Sequence, residues 1–268
     1  MCLVEVLYIN LDSSTDRRAH IEANLAKCGI TSFTRIPAFD GRGIPVDSLP
    51  DHDGAAMVSF MGRPLSGGEY GCYKSHLQCL SHFLNGTAQH CLLLEDDVEF
   101  DIDFREGVDG VLDVLAASGL DWDVTHLSPT HIKIFTPVAT VGNHRKLMAA
   151  HYFPMNTSAL LWSRNGASGF LARHAKVNLP IDVQLREAML RSGKGFAVWP
   201  PLAQAADLDS DIDAPRELRR SSGRRWFYGV AKQRRLFKNK IMALLRAVQF
   251  RRSRRRAGRI RGSVGRQP

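Results

Sequence analysis

The densest chemistry in the chain is Glu95-Asp96-Asp97, three carboxylates directly behind the apolar run Cys91 to Leu94. Such a run reads as a strand buried on both sides, so the triplet marks where the chain leaves a sheet. In open α/β sheets ligands bind along that carboxyl edge. Alternation along an extended segment sends Glu95 and Asp97 one way and Asp96 the other. Two converging carboxylates suit a hard divalent cation, which takes oxygen ligands and keeps positions open for a diphosphate. A solvated acidic turn would show the same pattern, and the triplet alone does not separate the two.

The elements that must position this triplet alternate along the chain. Strand-like segments run from Leu3 to Ile9, Thr34 to Phe39, Trp122 to Leu127 and Ser158 to Trp162. Between and after them lie helix-like stretches from Thr15 to Cys28, Gly166 to His174 and Val183 to Arg191. A further helix begins at Gly68, carries Tyr73, Leu77, Leu80 and Leu84 at spacings of three and four, and closes at Asn85-Gly86. This alternation predicts an α/β fold with a mainly parallel sheet covered by helices on both faces. Pro45 to Pro64 reads as an irregular excursion.

A chain of 268 residues with 44% hydrophobic content can bury a full core. Its charge divides it. Residues 216–268 hold 19 of the 36 Lys and Arg with Glu217 as their only acid, whereas residues 1–215 are acidic. The expected domains are therefore a body over 1–215 and a basic tail over 216–268. Arg224 to Val248 can be drawn as a helix with Trp226, Phe227, Val230, Phe237, Ile241, Leu244, Leu245 and Val248 largely on one face. From Arg251 the composition predicts disorder. The five cysteines (Cys2, Cys28, Cys72, Cys79, Cys91) show no C-x-x-C pair and read as reduced thiols of a cytoplasmic protein. No signal peptide is visible at the N-terminus, and no stretch approaches the roughly 18 apolar residues of a membrane span.

The order YINLDSSTDRRAHIEANL, AFDG, GGEYGCYKSHLQCL, LLLEDDV and PID, spread over roughly residues 3–213, resembles glycosyltransferase family 25, the bacterial lipopolysaccharide and lipooligosaccharide sugar transferases. Its most specific parts are the block from Gly68 to His76 and the acidic triplet about twenty residues later. The resemblance implies a GT-A-type, Rossmann-like fold and inverting transfer of a hexose, galactose or glucose, from a UDP-sugar. It also implies a divalent metal, Mn²⁺ or Mg²⁺, held by Glu95 and Asp97. Asn10, Asp12, Arg17 and Arg18 then form the loop that meets the nucleotide, and an Arg pair at a helix start suits phosphate. Asp40 and Gly41, beside Ala38, occupy a second nucleotide-side turn. Glu69, which can also cap its helix, joins the nucleotide-sugar set together with Ser75 and His76, which reach the donor or its metal-bound phosphates, and Asp96.

Inversion needs a base to take the acceptor hydroxyl's proton. Asp182, in Pro180-Ile181-Asp182, matches the family's late acidic position and is the candidate; an ordinary helix cap is the plain alternative. Asp207, Asp209, Asp211 and Asp213 resemble the family's closing segment. The implied acceptor is a lipid-linked or cell-surface oligosaccharide. The tail's Arg, Lys, Trp and Phe suit an anionic membrane, which would place the enzyme peripherally on the inner face of the cell membrane. The other readings are a catalytically weak family member serving as a scaffold, or nucleic-acid binding through the tail. No specific nucleic-acid motif is present.

Overall fold

The computed structural model describes residues 4–206 and 224–264. Among the described residues, ten strands and seven α-helices are set in one α/β body. An eight-stranded mixed sheet has the order β2-β1-β3-β8-β5-β9-β7-β6. Its strands are β1 (Val4–Asn10), β2 (Thr34–Pro37), β3 (His90–Glu95), β5 (Val124–His126), β6 (Phe135–Val141), β7 (Arg145–Ala150), β8 (Ala159–Ser163) and β9 (Gly195–Trp199). β1 pairs parallel with both β2 and β3, and β5 pairs parallel with β9; β8, β7 and β6 run antiparallel to their neighbours. β4 (Val98–Phe100) and β10 (Ala203–Ala205) form a small ribbon beyond the acidic triplet.

The period of two in the central strands explains why they are apolar throughout. Cys91 and Leu93 of β3, with Leu160 and Trp162 of β8, enter one core. Leu92 and Leu94, with Ala159 and Leu161, enter the other. Each fully buried Leu contributes about 1.5–3 kcal/mol. The first core is closed by α2 (Gly54–Met61), α3 (Gly67–Asn85), α5 (Arg164–Arg173) and α6 (Ile181–Ser192). The second is closed by α1 (Thr15–Lys27) and α4 (Phe104–Ser118).

Two segments depart from the sequence expectation. Pro45 to Pro64 is not irregular throughout: a 3₁₀ turn at Val46–Ser48 precedes α2, whose first turn is capped by Asp53 accepting from the Ala56 amide. An eight-residue helix with two alanines shows too little periodicity to be read. The tail is also more ordered than its composition implies, because α7 (Tyr228–Val264) passes through Arg251 without a break. Tertiary contacts explain this: the Asn239 amide donates to buried Glu187, Arg235 donates to the Phe60 carbonyl at 3.1 Å, and the Phe250 ring meets His151 at 5.4 Å.

Three glycines let the loop after β2 rest backbone on backbone against α3. A Cβ on Gly41 would stand 1.9 Å from the Gly67 carbonyl oxygen, and one on Gly71 would stand 2.4 Å from that of Phe39. Gly71→Ala is therefore expected to destabilise the fold by about 1–3 kcal/mol. A urea titration checks this through a lower midpoint at unchanged slope. An unmoved midpoint would mean that the loop yields freely.

Candidate active site

β3 delivers Glu95 at its last position, and Asp96-Asp97 turn the chain into β4. Asp96 is buried: it accepts from the Asn10 amide at 2.7 Å and pairs with the Arg17 guanidinium. Arg17 also reaches Asp97, at 3.6 Å. Parallel pairing of β1 with β3 ends both strands at one edge, where Asn10 meets Asp96. The first turn of α1 then brings Arg17 over the acidic turn.

Glu95 is held from the other side. His76, one-hundredth exposed on α3, places Nε2 3.0 Å from Glu95 Oε1, and the Thr157 hydroxyl donates to the same oxygen at 2.5 Å. Burial alone would raise the Glu95 pKa; the His76 and Thr157 bonds and the Arg17 charge hold it below the ordinary value. Asp97 goes the opposite way, pushed up to about 7 by burial and then by the charge of Glu95, against the pull of Arg17. Its Oδ1 is buried with no hydrogen-bond partner among the described residues.

The glycine-seated loop forms the facing wall. Ser75 accepts from the Phe39 amide at 2.8 Å and donates to the Gly71 carbonyl at 2.7 Å, pinning loop to helix. Beyond it Asp40 takes a two-pronged bond from Arg42, at 2.8 and 2.6 Å, which depresses the Asp40 carboxyl to about 2. Between the two walls lies an open cleft whose enclosed part holds about 100 Å³.

The cleft brings together eight of the residues expected from sequence: Asn10, Arg17, Asp40, Gly41, Ser75, Glu95, Asp96 and Asp97. Five lie outside its wall. Asp12 is largely exposed and paired with Arg35, and Arg18 pairs with Glu22 along the outer side of α1. Glu69 has its carboxylate in a two-pronged bond with Arg63 and in a reciprocal cap with Ser66, which is the capping role expected of it. His76 acts from behind Glu95. Asp182 sits in the first turn of α6, accepts from the Val183 amide at 2.7 Å and leaves the N-cap position to Pro180. Its pKa is raised to about 6, first by burial and then by the charges of Glu69 and Glu95, with Val183 and Arg186 opposing. Asp207, Asp209, Asp211 and Asp213 lie outside the described residues.

Sequence reasoning missed Arg42 as a cleft residue and Thr157 as a support of Glu95. Thr157 follows Asn156, which adopts φ of 79°, a region Asn tolerates, and no local sequence pattern marked it. Cys72 is half-buried and also lines the cleft. Burial, with the charges of Glu95, Asp182, Asp97 and Glu69, raises its pKa well above the ordinary thiol value.

Two donor sets could hold a cation. Ligand atoms of Cys72, His76 and Glu95 all lie within 4.8 Å of one another. That set is soft, its thiol is held protonated, and its imidazole is already committed to Glu95. Glu95 and Asp97 offer carboxylate oxygens alone, and Oδ1 of Asp97 has no hydrogen-bond partner among the described residues. This second set fits a hard divalent ion.

The sequence profile of glycosyltransferase family 25 (LPS biosynthesis protein) matches residues 4–185. Procollagen galactosyltransferase 1 of Danio rerio is 26% identical over 183 residues, covering 66% of this chain and 30% of that protein. Inactive glycosyltransferase 25 family member 3 of Homo sapiens is 30% identical over 187 residues, again covering 66% and 30%. The chain thus spans under a third of the length of these relatives. Among solved structures, the inositol-1-phosphate CTP transferase from T. maritima covers 87% of this chain and 96% of its own at 13% identity, with a TM-score of 0.40. With the match running from β1 into α6 and taking in the acidic turn, the glycine-seated loop and Asp182, the chain belongs to glycosyltransferase family 25.

Proposed function

We propose that this glycosyltransferase moves a hexose, galactose or glucose, from a UDP-sugar to a lipid-linked or cell-surface oligosaccharide, with inversion and with a divalent cation, Mn²⁺ or Mg²⁺. The observation that carries the reading is the half-buried acidic turn itself: Glu95 aimed by two donors, and Asp97 with an oxygen lacking a hydrogen-bond partner, both on a cleft edged by Arg17. Galactose is favoured by the galactosyltransferase relatives. A bound cation would be held by Glu95 and Asp97 and would neutralise charge on the leaving diphosphate.

The chain's own residues supply the rest. Arg17 offers its guanidinium fork to phosphate oxygens in exchange for Asp96 and Asp97. The Ala38–Arg42 loop, fixed by Ser75, presents Asp40 and Arg42 to the ribose or base. Asp182 takes the acceptor proton, its raised pKa placing it nearer the operating pH of a general base than an ordinary aspartate. This puts the acceptor on the α6 side of Glu95. The enzyme would work peripherally on the inner face of the cell membrane, with its tail toward anionic lipid and without specific nucleic-acid binding. No helix among the described residues is long and apolar enough to cross a membrane.

A second reading, a fold that binds without turning over, is favoured by the relatives named inactive. Calorimetry and slow donor hydrolysis separate the two. A UDP-sugar should bind with Mn²⁺ present, and Asp97→Ala should remove the metal-dependent part of that affinity. Absence of any nucleotide-sugar binding would defeat the transferase reading, whereas binding without hydrolysis or transfer would leave the scaffold.

The base assignment has its own test. Asp182→Asn should lower kcat by about 10²–10⁴-fold with little change in donor affinity, and equal losses in both would point to a structural role. Because the ionised carboxylate is the active form and its folded pKa lies at about 6, kcat/KM should fall as pH drops through about 6 and flatten above it. A profile level down to pH 5 would exclude Asp182 as the base.

A further inference from the structure

The long helix α7 turns its less apolar side inward. Asn239, Ala243 and Ala247 are buried against the body, and the side chains beside them, Arg235 and Arg246, bond to the carbonyls of Phe60 and Leu190. The larger side chains point the other way. Phe237 is 68% exposed, Ile241 42%, Leu244 55%, Leu245 59% and Val248 44%. Steps of four, three, one and three residues stack these five along a single strip of the helix.

Exposed Arg234, Lys238, Lys240 and Arg252 surround the strip. Across residues 224–256 the sequence holds no Asp or Glu at all. Two copies packed strip to strip would therefore oppose cation to cation with nothing on the helix to pair them. An apolar strip framed by cations matches a surface that is greasy below and anionic above.

We propose that this outer strip is a docking surface for an anionic lipid bilayer, with α7 lying in the membrane plane. Phe237, Ile241, Leu244, Leu245 and Val248 sink below the headgroups while the surrounding Lys and Arg sit among the phosphates. The inference identifies the face that carries the membrane contact in the proposed function. It is measured without donor or acceptor, so it stands or falls separately from glycosyl transfer. The inner face gives the docking direction: through Asn239 to Glu187 and Arg235 to Phe60, the helix is tied to α6, which carries Asp182, and to α2.

The test uses the whole chain and point substitutions on the outer face, because removing α7 would uncover the body. Flotation with phosphatidylcholine vesicles is compared with flotation on vesicles that also contain phosphatidylglycerol. The parent protein should float with the anionic vesicles only, less so as salt rises. Ile241→Glu combined with Leu245→Glu should weaken partitioning by about tenfold or more at unchanged far-ultraviolet circular dichroism. Lys238→Ala with Arg252→Ala should weaken it as well. Equal flotation on neutral vesicles, or unchanged flotation of the double Glu variant, would overturn the proposal. So would a dimer in light scattering that the double Glu variant dissociates, or retention of RNA by a chain that floats with no vesicle.

Discussion

Three carboxylates on consecutive residues stand at the end of a strand whose own side chains exclude water, and their mutual repulsion has to be met from within the protein. The rest of the site follows from how that charge is divided. Asp96 is spent on Asn10 and Arg17, which ties the acidic turn to β1 and α1. Glu95 is kept ionised by His76 and Thr157. Asp97 receives the remainder, and burial beside Glu95 lifts its pKa into the neutral range. A site built this way is poised for positive charge, because two half-buried anions that repel each other are stabilised by a cation or a proton between them.

The second constraint is steric. The loop that faces the acidic turn approaches α3 so closely that Gly41, Gly67 and Gly71 leave no room for a Cβ. Ser75 adds hydrogen bonds to that contact. Residues of the Gly68–His76 block therefore divide by depth on one helix: Gly71 and Ser75 seat the loop, Cys72 reaches the cleft, and His76 reaches through to Glu95. One short motif serves both walls, since side chains three and four apart on a helix share a face.

The position of α7 ties the basic segment to the α/β body. Its buried face makes polar bonds to α6 and the end of α2, and the region of Gly62 receives the start of the helix, where a Cβ would stand 2.8 Å from the Tyr228 backbone. The elements that receive this helix also lead into Arg63, Glu69 and Asp182. The helix is a layer of the molecule, with one side built against protein and the other left to its surroundings.

Much of this was legible in the residues alone. The apolar run into Glu95-Asp96-Asp97 announced a buried strand ending in a cleft, and the periodicity of α1, α3, α5 and α6 gave their extents to within a few residues, because each is an amphipathic element whose pattern is local. The motifs also named the two walls. What local pattern cannot carry is pairing between distant segments. That Asp96 would be claimed by Asn10 and Arg17, that Thr157 would support Glu95, and that Arg18 and Asp12 would turn away depended on which strands became neighbours. The sequence by itself determined that the 224–248 segment holds a helix with a large apolar face and a basic composition, although the helix begins at Tyr228 and not at Arg224. Only the tertiary structure decided that Asn239, Ala243 and Ala247 meet the body while that apolar face points out, because hydropathy states which side chains need cover but not what will cover them.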